Sequence, residues 1–257
     1  MEYEKVQKGN PHKLTIKQHM FPAKSINRFG DENSFVEVFL INEKKEFKLK
    51  EDAKLFCARR AWDQRAEAIF MKNIEDKYQG LAEIILNNGL IKLGVKEQAI
   101  ITDMFALWNI RWHWNKQQVS DQKIEGAISV AREYSVDEQE ELEANGITSI
   151  RPDLTIPGRS ITGVSIQQNL YQVREQMRDA HWGILQSKAG NFIVPDNTPT
   201  SRMLPLSPRI CLFSQSENER ISEGELAELN QVLLDGAEQY FFAKKLADCP
   251  LLRKYNK

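Results

Sequence analysis

Apolar residues recur at helical spacing in several long segments of this chain, and these segments set most of its fold. In residues 63–88 the apolar positions are spaced by four, four, three and four: Phe70, Ile74, Tyr78, Leu81 and Ile85. That spacing places them on one face of an α-helix, and Gly89 follows as the expected C-terminal cap. Residues 96–115 predict a second helix with an apolar side of the same kind.

Two further helices are predicted in the second half of the chain. One has a stripe at spacings of four, three, four and three, made of Ile166, Leu170, Val173, Met177 and Ala180. The other starts at a capping box of Ser222 and Glu225 and is predicted to end near Ala247, ahead of Pro250. Its stripe comprises Leu226, Leu229, Leu233, Ala237 and Phe241.

Shorter β-rich segments near the N-terminal end predict strands. Residues 14–21 are interpreted as an extended segment or edge strand, because Pro22 ends the pattern. Residues 35–41 and 46–50 predict a hairpin, and the second of these strands alternates apolar and charged side chains.

A second group of strands is predicted around residues 182–213. Residues 182–186 and 191–194 are expected to pair as a hairpin that turns over residues 188–190. A third apolar strand is expected after the Pro-Leu-Ser-Pro sequence at 205–208. We therefore predict an α+β protein, mostly helical, with two small clusters of strands or hairpins packed on long amphipathic helices and one domain over residues 1–257.

Residues 119–160 are the part of the chain with the weakest pattern, and we interpret them as a helical or loop insertion. Ser135 and Glu138 form a capping box, and Gly146 is expected to end a short acidic helix. The run DEQEELE is interpreted as a solvated helix face. Residues 147–159 contain two prolines and are interpreted as a linker or surface loop.

Composition excludes several classes of protein. The chain has 257 residues and a net charge of −1. It therefore lacks the overall positive charge that is typical of proteins that bind nucleic acid non-specifically. Its three cysteines are far apart and form neither a disulfide framework nor a CxxC metal pair. The polar start and the lack of a long apolar run predict no signal peptide and no membrane span. We therefore expect a cytoplasmic protein that does not associate with membranes; its oligomeric state is left open.

The familiar catalytic motifs are missing from the sequence. It has no GxxxxGK[ST] phosphate loop, no GxGxxG, no HExxH and no GxSxG. A zinc site would have to be assembled from distant parts of the chain. A site of dispersed carboxylates for a divalent cation such as Mg²⁺ remains open, with Asp196 and Glu75 as its candidate ligands.

Arg111 is the first candidate site residue, because it falls near the apolar side of the second predicted helix. Burying a lone charge is costly, so its guanidinium needs a partner. That partner is either a carboxylate within the fold or an anionic ligand held through two hydrogen bonds. Glu67 and Glu75, on the preceding helix, are interpreted as solvated flanks that could also line a cleft.

His19 and Asp196 are the other candidate residues. Asp196 lies with Asn197 between Pro195 and Pro199, where neither a helix nor a strand continues easily. A carboxylate on such a loop serves either as a turn residue or as a site residue. His19 lies in the first predicted strand and is either a half-buried histidine with a backbone partner or a general acid or base.

Short pieces in a fixed order along nearly the whole chain carry a family resemblance. They are KQHMFPAKSINRF at 17–29, the helix with Glu67 and Glu75, the helix ending in Arg111, Trp182 with the loop FIVPDNTP, PLSP at 205–208, and a last helix with Asn230 and Ala237. In this order they resemble the bacterial family known as domain of unknown function 4238. The loop departs from the family pattern Thr-Ser-Asp-Asn-Pro, since Pro195 replaces the serine before Asp196. Residues 119–160 match nothing in the family.

The resemblance implies a protein of bacteria or their mobile elements, in a family where some members look like single-gene defence proteins against bacteriophage. Our first hypothesis is an antiphage effector that cleaves nucleic acid, with His19, Arg111 and Asp196 as catalytic residues and Asp196 and Glu75 binding a metal ion. The alternative is a non-enzymatic sensor or interaction protein that responds to a phage-encoded trigger. A DNA- or RNA-binding module without catalysis is the third hypothesis.

Overall fold

The structure is a computed structural model, and it describes residues 4–117, 119–126, 128–129, 132–197 and 201–252. Helix accounts for 41% of the described residues and strand for 19%. The predicted α+β class is therefore confirmed, although helices make up less than half of the described chain. Thr198 and Pro199 of the predicted loop lie outside the described residues.

Each predicted apolar stripe gives a long helix, but the stripes of the last two helices extend past the residues at which these helices end, Gln176 and Gly236. The α-helices of the described chain are α1 (Ala23–Asn27), α2 (Lys72–Asn88), α3 (Val95–Lys116), α4 (Val136–Ala144), α5 (Gly158–Gln176) and α6 (Glu223–Gly236). A π-helical turn, Ala66–Met71, leads into α2. Both predicted capping boxes are present, with Ser135 and Ser222 as the N-caps. Gly89 ends α2 at a φ of 73° and donates its N–H to Ile85.

Most of the strands belong to two four-stranded sheets. The strands are β1 (Lys17–His19), β2 (Val36–Leu40), β3 (Lys45–Leu49), β4 (Cys57–Arg59), β5 (Gln122–Lys123), β6 (Thr155–Ile156), β7 (Trp182–Ser187), β8 (Val194–Pro195), β9 (Met203–Ser207), β10 (Ile210–Ser214), β11 (Glu219–Ile221) and β12 (Tyr240–Ala243). The first sheet has the order β3-β2-β12-β8 and the second the order β11-β7-β10-β9. Two short ribbons, β1-β4 and β5-β6, are the remaining sheets of the residues that the structure describes.

Alternation along the strands explains how the first sheet contributes to two cores. Val38 faces a core that the sheets share with α2 and α3, whereas its neighbour Phe39 faces a second core against α6. Successive residues of a strand point to opposite faces, so β2 and β12 contribute to a core on each side of the first sheet, whereas β3 at its edge is mostly exposed. A third core joins the π-helical turn, α2, α3 and α5. The α3 helix contributes side chains to the first and third cores.

The predicted hairpin between residues 182–186 and 191–194 is wrong. β7 pairs instead with β10 and β11, and β8 joins the other sheet beside β12. The N–H of Asn191 donates to Asp248 and that of Phe192 to Pro208, so the chain turns away from β7. Gly190 has a φ of 78°, and a Cβ there would lie 2.9 Å from Pro250, so this turn requires glycine. The predicted hairpin of residues 35–41 and 46–50 is confirmed as β2 and β3.

The last helix is shorter than predicted. α6 ends at Gly236, and Phe241 of the predicted stripe belongs to β12, which lies between β2 and β8 in the first sheet. Ala237 and Phe241 follow Leu233 at helical spacing in the sequence, but this spacing does not reflect a helix, because both residues lie beyond the end of α6. Strand pairing with β2 takes over after Gly236.

The acidic face of α4 is not fully solvated, which corrects a second prediction. Glu143 is buried and lies 2.6 Å from both Arg60 and Arg159. Glu140 is also buried and accepts the backbone N–H of Gln7 at 2.8 Å. The 119–160 segment is therefore tied to the N-terminal residues and to α5 by charged groups. Its predicted linker contributes β6 and the first residues of α5.

None of the helices in the described part of the chain combines the length and the apolar content that crossing a bilayer requires.

Candidate functional site

Arg111 lies at the centre of the most highly charged buried site on α3. Its side chain is 1% exposed, and its guanidinium forms ion pairs with Glu75 of α2 and with Glu67 at 3.6 Å. Both carboxylates remain partly exposed to solvent. The sequence left two partners open for this guanidinium, a carboxylate within the fold or an anionic ligand. In the structure the partner is a carboxylate within the fold.

The π-helical turn positions two of the groups around this guanidinium. Glu67 lies within the turn, and Met71, at its end, accepts a hydrogen bond from the Nε of Arg111 at 3.2 Å. Trp62 donates its indole N–H to Glu67 at 2.6 Å, and its ring lies 5.7 Å from the Arg111 Cζ. π-Helical turns occur often at functional sites because they redirect side chains. Here the turn encloses Arg111 between an aromatic ring, a thioether and two carboxylates.

The contacts of Trp62 and Met71 were missed in the sequence. With Glu67 and Glu75 they form a series, Trp62, Glu67, Met71 and Glu75, at spacings of five, four and four. Trp62 precedes the π-helical turn, whereas Glu67, Met71 and Glu75 follow one another at a spacing of four that an ordinary α-helix also has. The sequence pattern alone was interpreted as a continuous helix.

Asp196 follows β8 and is buried, with only 3% of the residue exposed. Its carboxylate accepts the backbone N–H of Glu238 at 2.8 Å and that of Gln239 at 3.0 Å. Its own N–H donates to Tyr240 at 3.0 Å. Asp196 therefore holds the turn between α6 and β12. Burial raises the pKa of Asp196, and the hydrogen bonds from Glu238, Gln239 and Trp112 offset part of that shift.

The raised pKa of Asp196 predicts a pH-dependent stability. The native state keeps this proton to a higher pH than the unfolded chain, where the pKa is about 3.9. Stabilisation from this group is therefore fully present below that pH and is lost as the pH rises through the native pKa. The side chain of the Asp196→Asn variant does not titrate. The difference in unfolding free energy between the parent and this variant should therefore be larger at about pH 4 than at pH 7, with the parent the more stable. Urea unfolding across this range measures the difference, and a constant difference contradicts the prediction.

His19 lies on β1, opposite Cys57 of β4 in the antiparallel register. Its Nε2 is 3.1 Å from the carbonyl oxygen of Glu51, so the imidazole has the backbone partner that was one of its two interpretations. Burial raises the pKa of the Cys57 thiol to about 11. Cys57 is therefore a thiol at neutral pH and a poor nucleophile.

The structure brings Arg111 and Glu75 together and gives the other two candidates different partners. Across the residues that the structure describes, no hydrogen bond or ion pair joins any two of His19, Arg111 and Asp196. Glu75 and Asp196 are the two candidate metal ligands. The carboxylate of Glu75 pairs with the Arg111 guanidinium, and that of Asp196 accepts backbone N–H groups. The same described residues contain no cluster of three or more His, Cys, Asp or Glu side chains that could hold a metal ion.

No protein-family model, curated protein or solved structure matches this chain. The family resemblance of its short motifs therefore stays a prediction, and the function has to be argued from the chain's own geometry.

Proposed function

We propose that this chain is a bacterial phage-defence protein that acts as a sensor, by binding a phage-encoded protein. The family resemblance supports the assignment to defence. The observation that carries the sensing role is an exposed apolar groove in the 119–160 segment, the part of the chain that the family resemblance does not cover.

The groove, called the insertion groove below, is a cavity of about 340 Å³. Its apolar lining comprises Ile124, Tyr134, Leu142, Ile147, Ile150 and Leu154. Ile147 and Ile150 are themselves exposed, and the same segment exposes Ile128 at 96% and Val136 at 61%. Clustered exposed apolar side chains mark interaction sites more often than isolated ones do.

The charge of the segment indicates the chemistry of the partner. Between residues 119 and 160 there are nine acidic and four basic side chains, a net charge of −5 against −1 for the whole chain. Complementary charge steers association and selects partners.

Among the lining residues Arg132 is charged, and its guanidinium is paired with Glu138. Glu125, Glu133 and Glu141, each next to a lining residue in the sequence, are exposed. The expected occupant is therefore a protein segment whose apolar side chains enter the groove and whose basic side chains meet these glutamates, such as a basic amphipathic helix.

Arg111 supports a binding protein over a phosphate-cleaving enzyme. A phosphate clamp must present its guanidinium to the ligand, whereas Arg111 is buried against Glu75, Glu67 and Trp62. A role in stabilising the fold accounts for each of these contacts.

Phage plating tests this proposal. Bacteria expressing the chain should form clearly fewer plaques with some phages of a panel than bacteria with an empty vector. The double variant Ile128→Asp with Ile147→Asp should lose this protection at an unchanged melting temperature, because both side chains are exposed. The control is Ile84→Asp, an exposed isoleucine of α2 that should keep protecting. Full protection by the double variant would rule out the groove as the sensing surface, and no protection by the parent would rule out the defence role.

Nucleic-acid cleavage is the second candidate function, favoured by one observation. Glu67 and Glu75 meet at one guanidinium beside a π-helical turn, and both stay partly exposed. Incubating the parent and Glu75→Gln with single- and double-stranded DNA and RNA, with Mg²⁺, Mn²⁺ or chelator, separates the two functions. The sensor proposal predicts no cleavage by either protein. Cleavage by the parent that both chelator and Glu75→Gln abolish would favour the nuclease.

A further inference from the structure

A second cavity, of about 350 Å³, lies between the C-terminal halves of α3 and α5. Neither the insertion groove nor the Arg111 site includes it. Its apolar walls are formed mainly by Phe105 and Trp112 of α3 and by Val173 and Met177. This volume is in the range of small-molecule sites, about 300–1,000 Å³. Trp112 is partly exposed and offers a flat ring to a planar ligand, whereas Phe105 is 6% exposed and packs on Trp182 with ring centroids 5.5 Å apart, so it closes the wall.

Polar side chains line part of this cavity. The Nδ2 of Asn109 donates to the carbonyl of Phe105 at 2.9 Å, and its side-chain oxygen can still accept a hydrogen bond. Asn197 is 3% exposed, and its Nδ2 donates to Glu238 at the long distance of 3.4 Å. His113 also lines the cavity. Carboxamides both donate and accept hydrogen bonds, so this lining is suited to the polar edge of a ligand.

Arg202 supplies a cation at the same cavity. The side chain is exposed, and no carboxylate of the described residues forms an ion pair with it. Its φ is 44°, a conformation that is strained for a residue other than glycine, and the N–H of Ser214 holds its carbonyl at 3.1 Å.

We propose that this cavity binds a free mononucleotide. The base would pack against Trp112, and its polar edge would meet the carboxamides of Asn109 and Asn197. The phosphate would pair with the guanidinium of Arg202, which matches phosphate geometry. Lys116 covers the Trp112 ring at 4.0 Å from its centroid, so a base packs on the part of the ring that Lys116 leaves uncovered. The proposal does not depend on the sensing role.

Isothermal titration of the full chain tests the proposal. The probes are the four ribonucleoside monophosphates, adenosine, inorganic phosphate and a short single-stranded RNA. At least one monophosphate should bind with a dissociation constant below about 1 mM, and more tightly than adenosine or phosphate alone. Arg202→Ala should weaken this binding about tenfold or more, since charge-assisted hydrogen bonds are the strong ones.

Two further variants complete the experiment. Gln176→Trp narrows the cavity from its exposed side and should abolish binding at an unchanged melting temperature. Arg178→Ala removes an exposed arginine that does not line the cavity and should bind as the parent does. No binding of any monophosphate below about 1 mM overturns the proposal, as does binding that neither Arg202→Ala nor Gln176→Trp reduces. Binding of the RNA at least about tenfold tighter than every monophosphate also overturns it, in favour of a nucleic-acid interface.

Discussion

Arg111→Ala is expected to lower the free energy of unfolding by about 3–5 kcal/mol, the usual cost of removing one partner of a buried ion pair. Arg111 is 1% exposed and is the shared partner of Glu67 and Glu75. Alanine leaves these two carboxylates facing each other, and it leaves a void between Trp62 and Met71. For a chain of this size the melting temperature should fall by roughly 6–20 °C. Thermal and urea unfolding followed by tryptophan fluorescence measure both quantities.

Two control variants show whether the loss comes from burial of the charge. Lys72→Ala removes an exposed lysine that pairs with Asp76 on α2, and its melting temperature should match that of the parent. Arg111→Lys keeps the charge but loses the planar fork, so its stability should lie between those of the parent and Arg111→Ala. A parent-like melting temperature for Arg111→Ala, together with loss of phage protection, would contradict the structural role and assign Arg111 to a site.

Asp196→Ala is expected to cost about 2–6 kcal/mol of unfolding free energy. It removes the acceptor of two backbone N–H groups, those of Glu238 and Gln239, where Asp196 is 3% exposed. Each buried donor left without a partner costs about 1–3 kcal/mol. The turn before β12 should loosen first, because Asp196 holds its backbone. Amide hydrogen exchange of residues 238–243 should therefore rise more than that of α2.

The matched control is Asp31→Ala. Asp31 also accepts two backbone N–H groups, from Asn33 at 2.9 Å and Phe35 at 3.0 Å, but its side chain is 32% exposed. Water can replace the carboxylate there, so the loss of stability should be clearly smaller. Equal losses for the two variants would show that burial does not account for the effect at Asp196.

Arg111 illustrates how far the sequence leads towards the candidate site. Its position beside an apolar stripe required a partner for a buried charge, and Glu75 of α2 is that partner. Glu67 was recognised only as a flanking carboxylate, because apolar spacing does not say which flanking carboxylate meets the guanidinium. The π-helical turn that contains Glu67 is not announced by that spacing either.

His19 and Asp196 show the limit of motif order as a guide to a site. Both occur at positions of the family-like motifs, yet His19 contacts the backbone of Glu51 and Asp196 the backbone of Glu238 and Gln239. Motif order places residues along the chain, whereas a site depends on which side chains meet in space. Their catalytic roles therefore stay predictions that the cleavage assay addresses.

The sequence by itself determined what depends on neighbouring residues. Apolar spacing placed α2 and α3, and side-chain caps at Ser135 and Ser222 placed the starts of α4 and α6. The β2-β3 hairpin was also readable, because its strands adjoin across a short turn. In each case the stabilising contacts lie within a few positions along the chain.

Only the tertiary structure decided at which residue α6 ends and which strands pair with β7. If α6 continued, the N–H of Glu238 would donate to a carbonyl four residues earlier; it donates to Asp196 instead, 42 positions away in the chain. β7 likewise pairs with β10 rather than with the segment that follows it. The local apolar pattern was compatible with either outcome. The choice rests on hydrogen bonds and burial between segments that are distant in sequence, and no local pattern contains them.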